Sequence, residues 1–201
     1  MRFAALLTSL TFLTVTVPVS GLTIKIDLRT KAGVEKVKGQ WRYSDVKIIE
    51  VDGKGPPPAN KPLRTYNFEP HAEKLDFDDS KWEVLDPTTL GARRANGQLC
   101  FNWYRIKLTL PAEADGKTVY FVTTVDDYGE VWVDGKLERK PGLSGGPVVA
   151  GFNTPNRVEL KDAKAGKTYS IAVFGINGPI SATPGNWIFL GDTYLDINDN
   201  K

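Results

Sequence analysis

Short segments of alternating apolar and polar residues recur along the chain, and this spacing is typical of half-buried β-strands. Clusters of glycine and proline separate them, and no helical pattern intervenes. Strand signals at intervals of roughly 8 to 12 residues predict an all-β sandwich of about eight antiparallel strands. The predicted strands are 22–28, 39–51, 63–68, 99–110, 117–125, 129–135, 157–160, 168–176 and 186–197.

Strand parity places Tyr104, Ile106, Leu108 and Leu110 on one face of the strand 99–110 and Trp103 on the opposite face. Trp103 and Arg105 lie on a polar face, and Trp132 lies among charged residues in a later strand. Two interpretations are open. The Trp rings could stack on the apolar face of a sugar ring while neighbouring charged groups bond its hydroxyls. Alternatively, they are buried against the aperiodic connection 72–98, which would then cover the sheet face like a lid.

Asp126, Asp127 and Tyr128 connect two predicted strands. Adjacent carboxylates in a loop can bind calcium through their oxygens, so Asp126 and Asp127 are candidate metal ligands. They can equally accept hydrogen bonds from the hydroxyls of a sugar. The alternative is a solvated turn in which Asp126 accepts bonds from backbone N–H groups.

The segment 177–187 is a long connection that contains two prolines. Prolines restrict the backbone, so the segment is ordered with a smaller loss of entropy than a flexible loop. Asn177 and Trp187 are candidates for the rim of a binding pocket. The alternative is a loop that only covers the end of the sandwich.

Residues 1–21 resemble a secretory signal peptide, because Arg2 precedes an apolar stretch without charge. The alternative, a membrane anchor, is disfavoured by the length of the stretch, which is near or below the ~20 residues that span a bilayer. The expected division is a signal peptide over 1–21, an extension or first strand over 22–38, and a β-sandwich domain over 39–199. A periplasmic or secreted bacterial protein without stable membrane insertion is therefore expected.

Charge and composition disfavour several function classes. The chain has 26 basic and 24 acidic residues, which are scattered, so a nucleic-acid partner is not expected. One histidine, His71, and one cysteine, Cys100, cannot form a transition-metal site of the usual kind, and no catalytic triad is evident. Cys100 is expected to be buried, without a disulfide. Catalysis is not expected, and lactone or glycoside hydrolysis would be the only enzymatic alternative.

Two motifs resemble known carbohydrate-binding domains. The stretch Asn102–Lys136, which ends at an Asp-Gly turn, and the upstream segment Phe77–Trp82 are similar to segments of the sugar-binding jelly-roll domain of glycoside hydrolase family 2 and of the wider galactose-binding-like sandwiches. This resemblance implies a jelly-roll fold and a carbohydrate ligand.

A narrower resemblance covers nearly all of the chain after residue 37. Its segments are Gly39–Asp45, Leu99–Arg105, Gly151–Arg157 and Ala172–Pro179. They resemble the domain that precedes the catalytic propeller in secreted bacterial gluconolactonase-like proteins. The resemblance implies an accessory module that binds a sugar or sugar lactone, with docking to a separately encoded propeller enzyme as the alternative.

Overall fold

The computed structural model describes residues 23–55, 63–97, 100–139, 146–178 and 186–199. The predicted signal peptide, the prolines at 56–58 and most of the connection 177–187 lie outside these ranges. Twelve strands form within the described residues. They are β1 (Thr23–Asp27), β2 (Trp41–Asp45), β3 (Lys47–Asp52), β4 (Arg64–Glu69), β5 (Glu83–Leu85), β6 (Arg94–Gly97), β7 (Cys100–Thr109), β8 (Thr118–Asp126), β9 (Tyr128–Val133), β10 (Asn156–Glu159), β11 (Thr168–Asn177) and β12 (Asn186–Asn198).

Two antiparallel five-stranded sheets pack face to face. The first has the order β1-β12-β8-β10, with β6 also paired to β12, and the second has the order β5-β2-β7-β11-β9. Strands β3 and β4 form a separate two-stranded ribbon. The prediction of an all-β jelly-roll sandwich is confirmed, although the described residues contain more strands than the roughly eight expected.

The main core lies between the two sheets, where strand parity predicted it. Tyr104, Ile106 and Leu108 of β7 point into this core and are fully or almost fully buried. Trp41 of β2 is buried beside them, and its indole nitrogen donates a hydrogen bond to the Leu28 carbonyl at 3.0 Å. Burial of each large apolar side chain contributes about 1.5–3 kcal/mol to folding.

A tight turn follows β9, as the Asp-Gly pair predicted. Val133 and Lys136 exchange two backbone hydrogen bonds of 3.0 Å each. Asp134 and Gly135 have φ angles of 49° and 76°, the combination that a type I′ turn requires at its two central positions.

Three segments differ from the prediction. The segment 39–51 contains two strands, because β2 joins the second sheet while β3 joins the ribbon. The connection 72–98 contains the short strands β5 and β6 together with a 3-10 turn, Pro87–Thr89. A helix, α1 (Lys31–Lys36), follows β1, and the Thr30 side chain caps it by accepting a hydrogen bond from the Gly33 N–H at 3.0 Å.

Residues 70–82, hereafter the cap, lie against the outer face of the second sheet. A second apolar cluster forms beneath them, with Trp103, Ala172 and Phe174 from the sheet and Ala72 from the cap. The Trp103 ring centroid is 4.7 Å from that of Phe174. The outer face is therefore partly covered, as the lid alternative proposed.

Candidate functional site at one end of the sandwich

Several strands begin or end at the same end of the sandwich. In the second sheet, Asn177 at the end of β11 is paired with Cys100 at the start of β7. In the first sheet, Asp126 at the end of β8 is opposite Phe189, near the start of β12. Because antiparallel ladders align strand ends in this way, residues distant in sequence meet here. We call this end the rim and define it by Arg93, Asp126, Asp127, Tyr128, Phe152, Asn153, Asn177 and Trp187.

Asp127 is held firmly by backbone groups. Its carboxylate accepts a hydrogen bond from the Gly178 N–H at 2.9 Å, and its own N–H donates to the Ile176 carbonyl at 3.2 Å. Its carbonyl accepts a bond from the Asn153 N–H at 3.0 Å. Only 5% of the residue is exposed. Asp127 thus joins the β8–β9 connection to two other loops and fixes the position of Asp126.

Asp126 is half-buried, and its carboxyl group is hydrogen-bonded to that of Asp127. Burial raises the pKa of Asp126 to about 6, and the hydrogen bond and negative charge of Asp127 add to this rise. A hydrogen bond from Asn153 and the charge of Arg93 oppose it. Near neutral pH, this carboxyl group is therefore a hydrogen-bond acceptor that becomes protonated under mildly acidic conditions.

We expect Asp126→Asn to change how stability depends on pH. Because the folded protein holds this proton more tightly than the unfolded chain, wild-type stability falls as pH rises from about 4 to 6. The asparagine variant lacks this contribution, so at pH 8 it is expected to be more stable by about 1 kcal/mol, a value discounted for solvent screening of a partly exposed group. Thermal melts of both proteins at pH 4 and pH 8 measure the difference. Parallel pH profiles would contradict the assignment.

Aromatic rings also belong to the rim. Tyr128 and Phe152 are 40% and 61% exposed, and their ring centroids are 6.2 Å apart with an interplanar angle of 71°. The guanidinium of Arg93 lies over the half-buried Trp187 ring at 5.4 Å. Rings with one free face and polar neighbours can bind a flat apolar surface and hydrogen-bonding groups together.

Buried amides support the rim from below. The Asn177 side chain donates to the Trp187 carbonyl, which fixes the start of β12. The Asn156 side chain donates to the carbonyls of Gly129 and Pro147 at 3.1 and 3.0 Å. A Cβ atom at Gly129 would lie 2.5 Å from a methyl group of Val125, so only glycine fits at this position. These contacts hold the β8–β9 connection against the first sheet.

The structure corrects the binding interpretation for two candidates. Trp103 is fully buried, and its indole nitrogen donates to the Pro70 carbonyl of the cap at 2.8 Å. Arg105 is 5% exposed and pairs with Asp79 of the cap at 2.8 Å. The cap covers most of both side chains, and their polar groups are already hydrogen-bonded to it. Their role is to hold the cap on the sheet.

The structure separates Trp132 from the other candidates. Its half-buried ring lies at the edge of the capped cluster, and its indole nitrogen donates to Glu130 at 3.2 Å. By contrast, Asp126, Asp127, Tyr128, Asn177 and Trp187 all lie at the rim. The structure therefore brings together five of the eight predicted residues.

Sequence reasoning missed three residues of the rim. Arg93, Phe152 and Asn153 come from two connections without regular periodicity, so no strand pattern indicated their neighbours. One signal was available, since Phe152 is a large aromatic residue between Gly151 and polar residues, outside any alternating segment. Such a residue cannot be assigned to the core by parity, and in the structure it is exposed.

The calcium hypothesis concerns Asp126 and Asp127 alone. Within the described residues, no group of three or more His, Cys, Asp or Glu side chains is placed to hold a metal ion. Calcium takes six to eight oxygen ligands, so carbonyl groups and water would have to supply the remainder.

A melting experiment tests the calcium hypothesis. If the pair binds calcium, the ion stabilises the folded state and raises the melting temperature. The rise is expected to be larger at pH 7 than at pH 5, because the ion must displace the Asp126 proton. Asp127→Ala is expected to abolish it. Identical melting curves with calcium and with a chelator would refute the hypothesis.

Comparisons with known proteins give a fold and no family. No family model matches the sequence, and no curated protein matches it. Among solved structures, the chain is similar to a calcium-binding mutant of Bacteroides uniformis β-glucuronidase 2, with a TM-score of 0.52 and 17% identity. The match covers 88% of this chain but only 18% of that one. This likeness shows a shared sandwich fold with part of a glycoside hydrolase.

Two further matches are weaker. Faecalibacterium prausnitzii β-glucuronidase has a TM-score of 0.43 at 16% identity, over 92% of this chain and 33% of that one. Ruminococcus gnavus β-glucuronidase has a TM-score of 0.40 at 14% identity, over 92% of this chain and 29% of that one. Separately, the described part of the chain contains no helix with the length and apolar character needed to cross a membrane.

Proposed function

We propose that this protein is an exported, non-catalytic β-sandwich module that binds a carbohydrate or sugar lactone at the rim. One observation carries the proposal: the fold brings exposed aromatic rings and a carboxylate pair from four separate connections to one end of the sandwich. The likeness of the fold to part of a β-glucuronidase supports a carbohydrate context.

The chemistry of the rim matches the two sides of a sugar ring. The C–H groups of a pyranose form an apolar face that packs on Tyr128, Phe152 or Trp187. Its hydroxyls donate to the carboxylate of Asp126 and accept from Arg93. Because backbone bonds fix Asp127, and through it Asp126, before any ligand arrives, little conformational entropy is lost on binding.

A glycan-array screen of the mature protein identifies the sugar, and titration by intrinsic fluorescence then gives its affinity. Tyr128→Ala and Trp187→Ala are each expected to weaken binding by about tenfold or more, since loss of an aromatic contact removes a kilocalorie or more of binding energy. Melting temperatures are expected to change little for Tyr128→Ala, because the ring is exposed.

Tyr66→Ala is the matched control, because Tyr66 lies on the β3–β4 ribbon and is 74% exposed. It removes the same ring from a surface outside the rim and is expected to leave sugar affinity unchanged. Binding that survives both rim substitutions would refute the location of the site. Absence of any glycan binding by the wild-type protein would refute the carbohydrate function itself.

The ribbon favours a second candidate function, docking to another protein. Ile48 and Tyr66 expose apolar surface on it, at 42% and 74%. The partner proposed from the resemblance is a separately encoded gluconolactonase-like propeller. If that enzyme co-purifies with the wild-type protein but not with an Ile48→Ser/Tyr66→Ser variant, and no glycan binds, docking replaces carbohydrate binding as the function.

Export is proposed from the sequence of residues 1–21, with a periplasmic or secreted location. Mass spectrometry of the native protein tests it. Cleavage is expected to leave a mature chain that begins near Leu22. Cytoplasmic protein that retains Met1 would contradict export.

A further inference from the structure

The cap leaves part of the outer face of the second sheet open, and this part forms a polar hollow. We call it the outer groove. Its lining residues come from β2, β7 and β11, from the cap and from the connection that precedes β2. They are Lys38, Gln40, Arg42, Asp79, Lys107, Thr109 and Thr168. The rim shares no residue with it.

The acidic side chain of the outer groove is already neutralised. Asp79 lies 2.8 Å from Arg105 and 3.6 Å from Arg42, so two guanidinium groups share one carboxylate. Arg42 also donates to the carbonyls of Ser80 at 3.1 Å and Trp82 at 3.4 Å. These contacts position the cap. Because two arginines already neutralise Asp79, its carboxylate does not neutralise Lys38 or Lys107.

Lys38 and Lys107 are exposed cations in the same hollow. Within the described residues, neither ammonium group forms a hydrogen bond or an ion pair. Two like charges on one surface repel each other, and an anion bound between them offsets this repulsion. Two further carboxylates line the adjoining hollow and are already hydrogen-bonded, since Asp78 accepts from the Ser80 N–H and Asp134 accepts from the Ser170 N–H.

The neutral groups of the outer groove add further donors. The hydroxyls of Thr109 and Thr168 are 2.9 Å apart, so one donates to the other and a second hydroxyl hydrogen is left over. The side-chain oxygen of Gln40 accepts from Arg42 at 3.0 Å, which leaves its NH2 group without a partner among the described residues. Residues with ammonium, hydroxyl and amide donors thus line a hollow whose one carboxylate, Asp79, is already paired, and an oxyanion suits such a set.

We infer that the outer groove binds an oxyanion, such as a sulfate group, between Lys38 and Lys107. The oxyanion is either a free inorganic ion or a substituent on a polysaccharide. This inference is independent of the carbohydrate function assigned to the rim, because the two surfaces share no residue. Binding is expected to weaken as salt rises, since mobile ions screen exposed charges.

The experiment uses the full mature chain and two probes, dextran sulfate and inorganic sulfate, with unmodified dextran as the neutral polymer. Affinities are measured by isothermal titration calorimetry at low ionic strength. Lys38→Gln/Lys107→Gln is expected to weaken binding of dextran sulfate by at least about tenfold, the loss expected for a charge-assisted hydrogen bond. Both side chains are exposed, so circular dichroism is expected to show an unchanged fold.

Lys47→Gln/Lys54→Gln is the control, because it removes two exposed positive charges from the ribbon side of the protein. It is expected to bind dextran sulfate as the wild type does. Equal weakening by both double variants would show attraction by net charge alone and would overturn the inference. If the wild-type protein binds neither dextran sulfate nor inorganic sulfate, the inference is overturned as well. If millimolar inorganic sulfate competes with dextran sulfate, the groove binds the free ion. If only dextran sulfate binds, the groove binds a sulfate substituent of a polysaccharide.

Discussion

Replacing Trp103 with alanine is expected to lower the free energy of unfolding by about 3–5 kcal/mol, the range for truncating a fully buried aromatic residue. The ring is completely buried between the second sheet and the cap. It packs 4.7 Å from Phe174, and its N–H bonds the Pro70 carbonyl at 2.8 Å. Truncation leaves a cavity beneath the cap and a carbonyl without its donor. Urea denaturation, followed by circular dichroism, measures the change.

Trp132→Ala is the matched control for this prediction. Trp132 lies on β9, which β11 separates from the Trp103 strand β7. Its ring is only half-buried, and its N–H donates to the Glu130 side chain at 3.2 Å. The smaller buried area predicts a loss of about 1–2 kcal/mol. An equal loss in the two variants would contradict the assignment of Trp103 to a closed core. A negligible loss in Trp103→Ala would show that the cap is open in solution.

Local sequence patterns predicted the faces of the strands because side chains alternate with a period of two. This period places Tyr104 in the main core and Trp103 on the opposite face, and the structure confirms both positions. The Asp134-Gly135 turn was likewise predictable, since few residue pairs accept positive φ at two successive positions. Such features depend only on residues close together in the chain.

The cap was harder to predict because its contacts are not local. Nothing periodic marks residues 70–82, and the pair that holds them, Arg105 with Asp79, is separated by 26 residues. The sequence therefore allowed two interpretations of a Trp on a polar strand face, stacking on a ligand or burial beneath another segment. In the rim, the same difficulty hid Arg93 and Asn153, which reach Asp126 from separate connections. Strand parity gives a direction for a side chain but does not identify the segment that lies against it.

Arg105 provides the second large expected effect, since it joins the cap to the second sheet. Its guanidinium pairs with Asp79 at 2.8 Å and donates to the carbonyls of Ala72 and Lys74, the latter at 3.2 Å. It also donates to the Ser170 hydroxyl at 3.2 Å. Only 5% of the residue is exposed. These bonds satisfy the carbonyl groups of Ala72 and Lys74 in the cap. The guanidinium therefore anchors the cap to the second sheet.

Arg105→Met keeps a long unbranched side chain but removes every one of these donors. Breaking a buried ion pair from one side is expected to lower stability by about 3 kcal/mol, the lower end of the usual range because Asp79 is partly exposed. Arg64→Met serves as the control, since Arg64 pairs with Glu50 and Asp52 on the exposed ribbon and its loss is expected to leave the melting temperature nearly unchanged. Chemical denaturation of both variants gives the comparison. If Arg105→Met is as stable as the wild type, apolar packing alone holds the cap. The pairing of Asp79 with Arg42 and Arg105 then has no structural role.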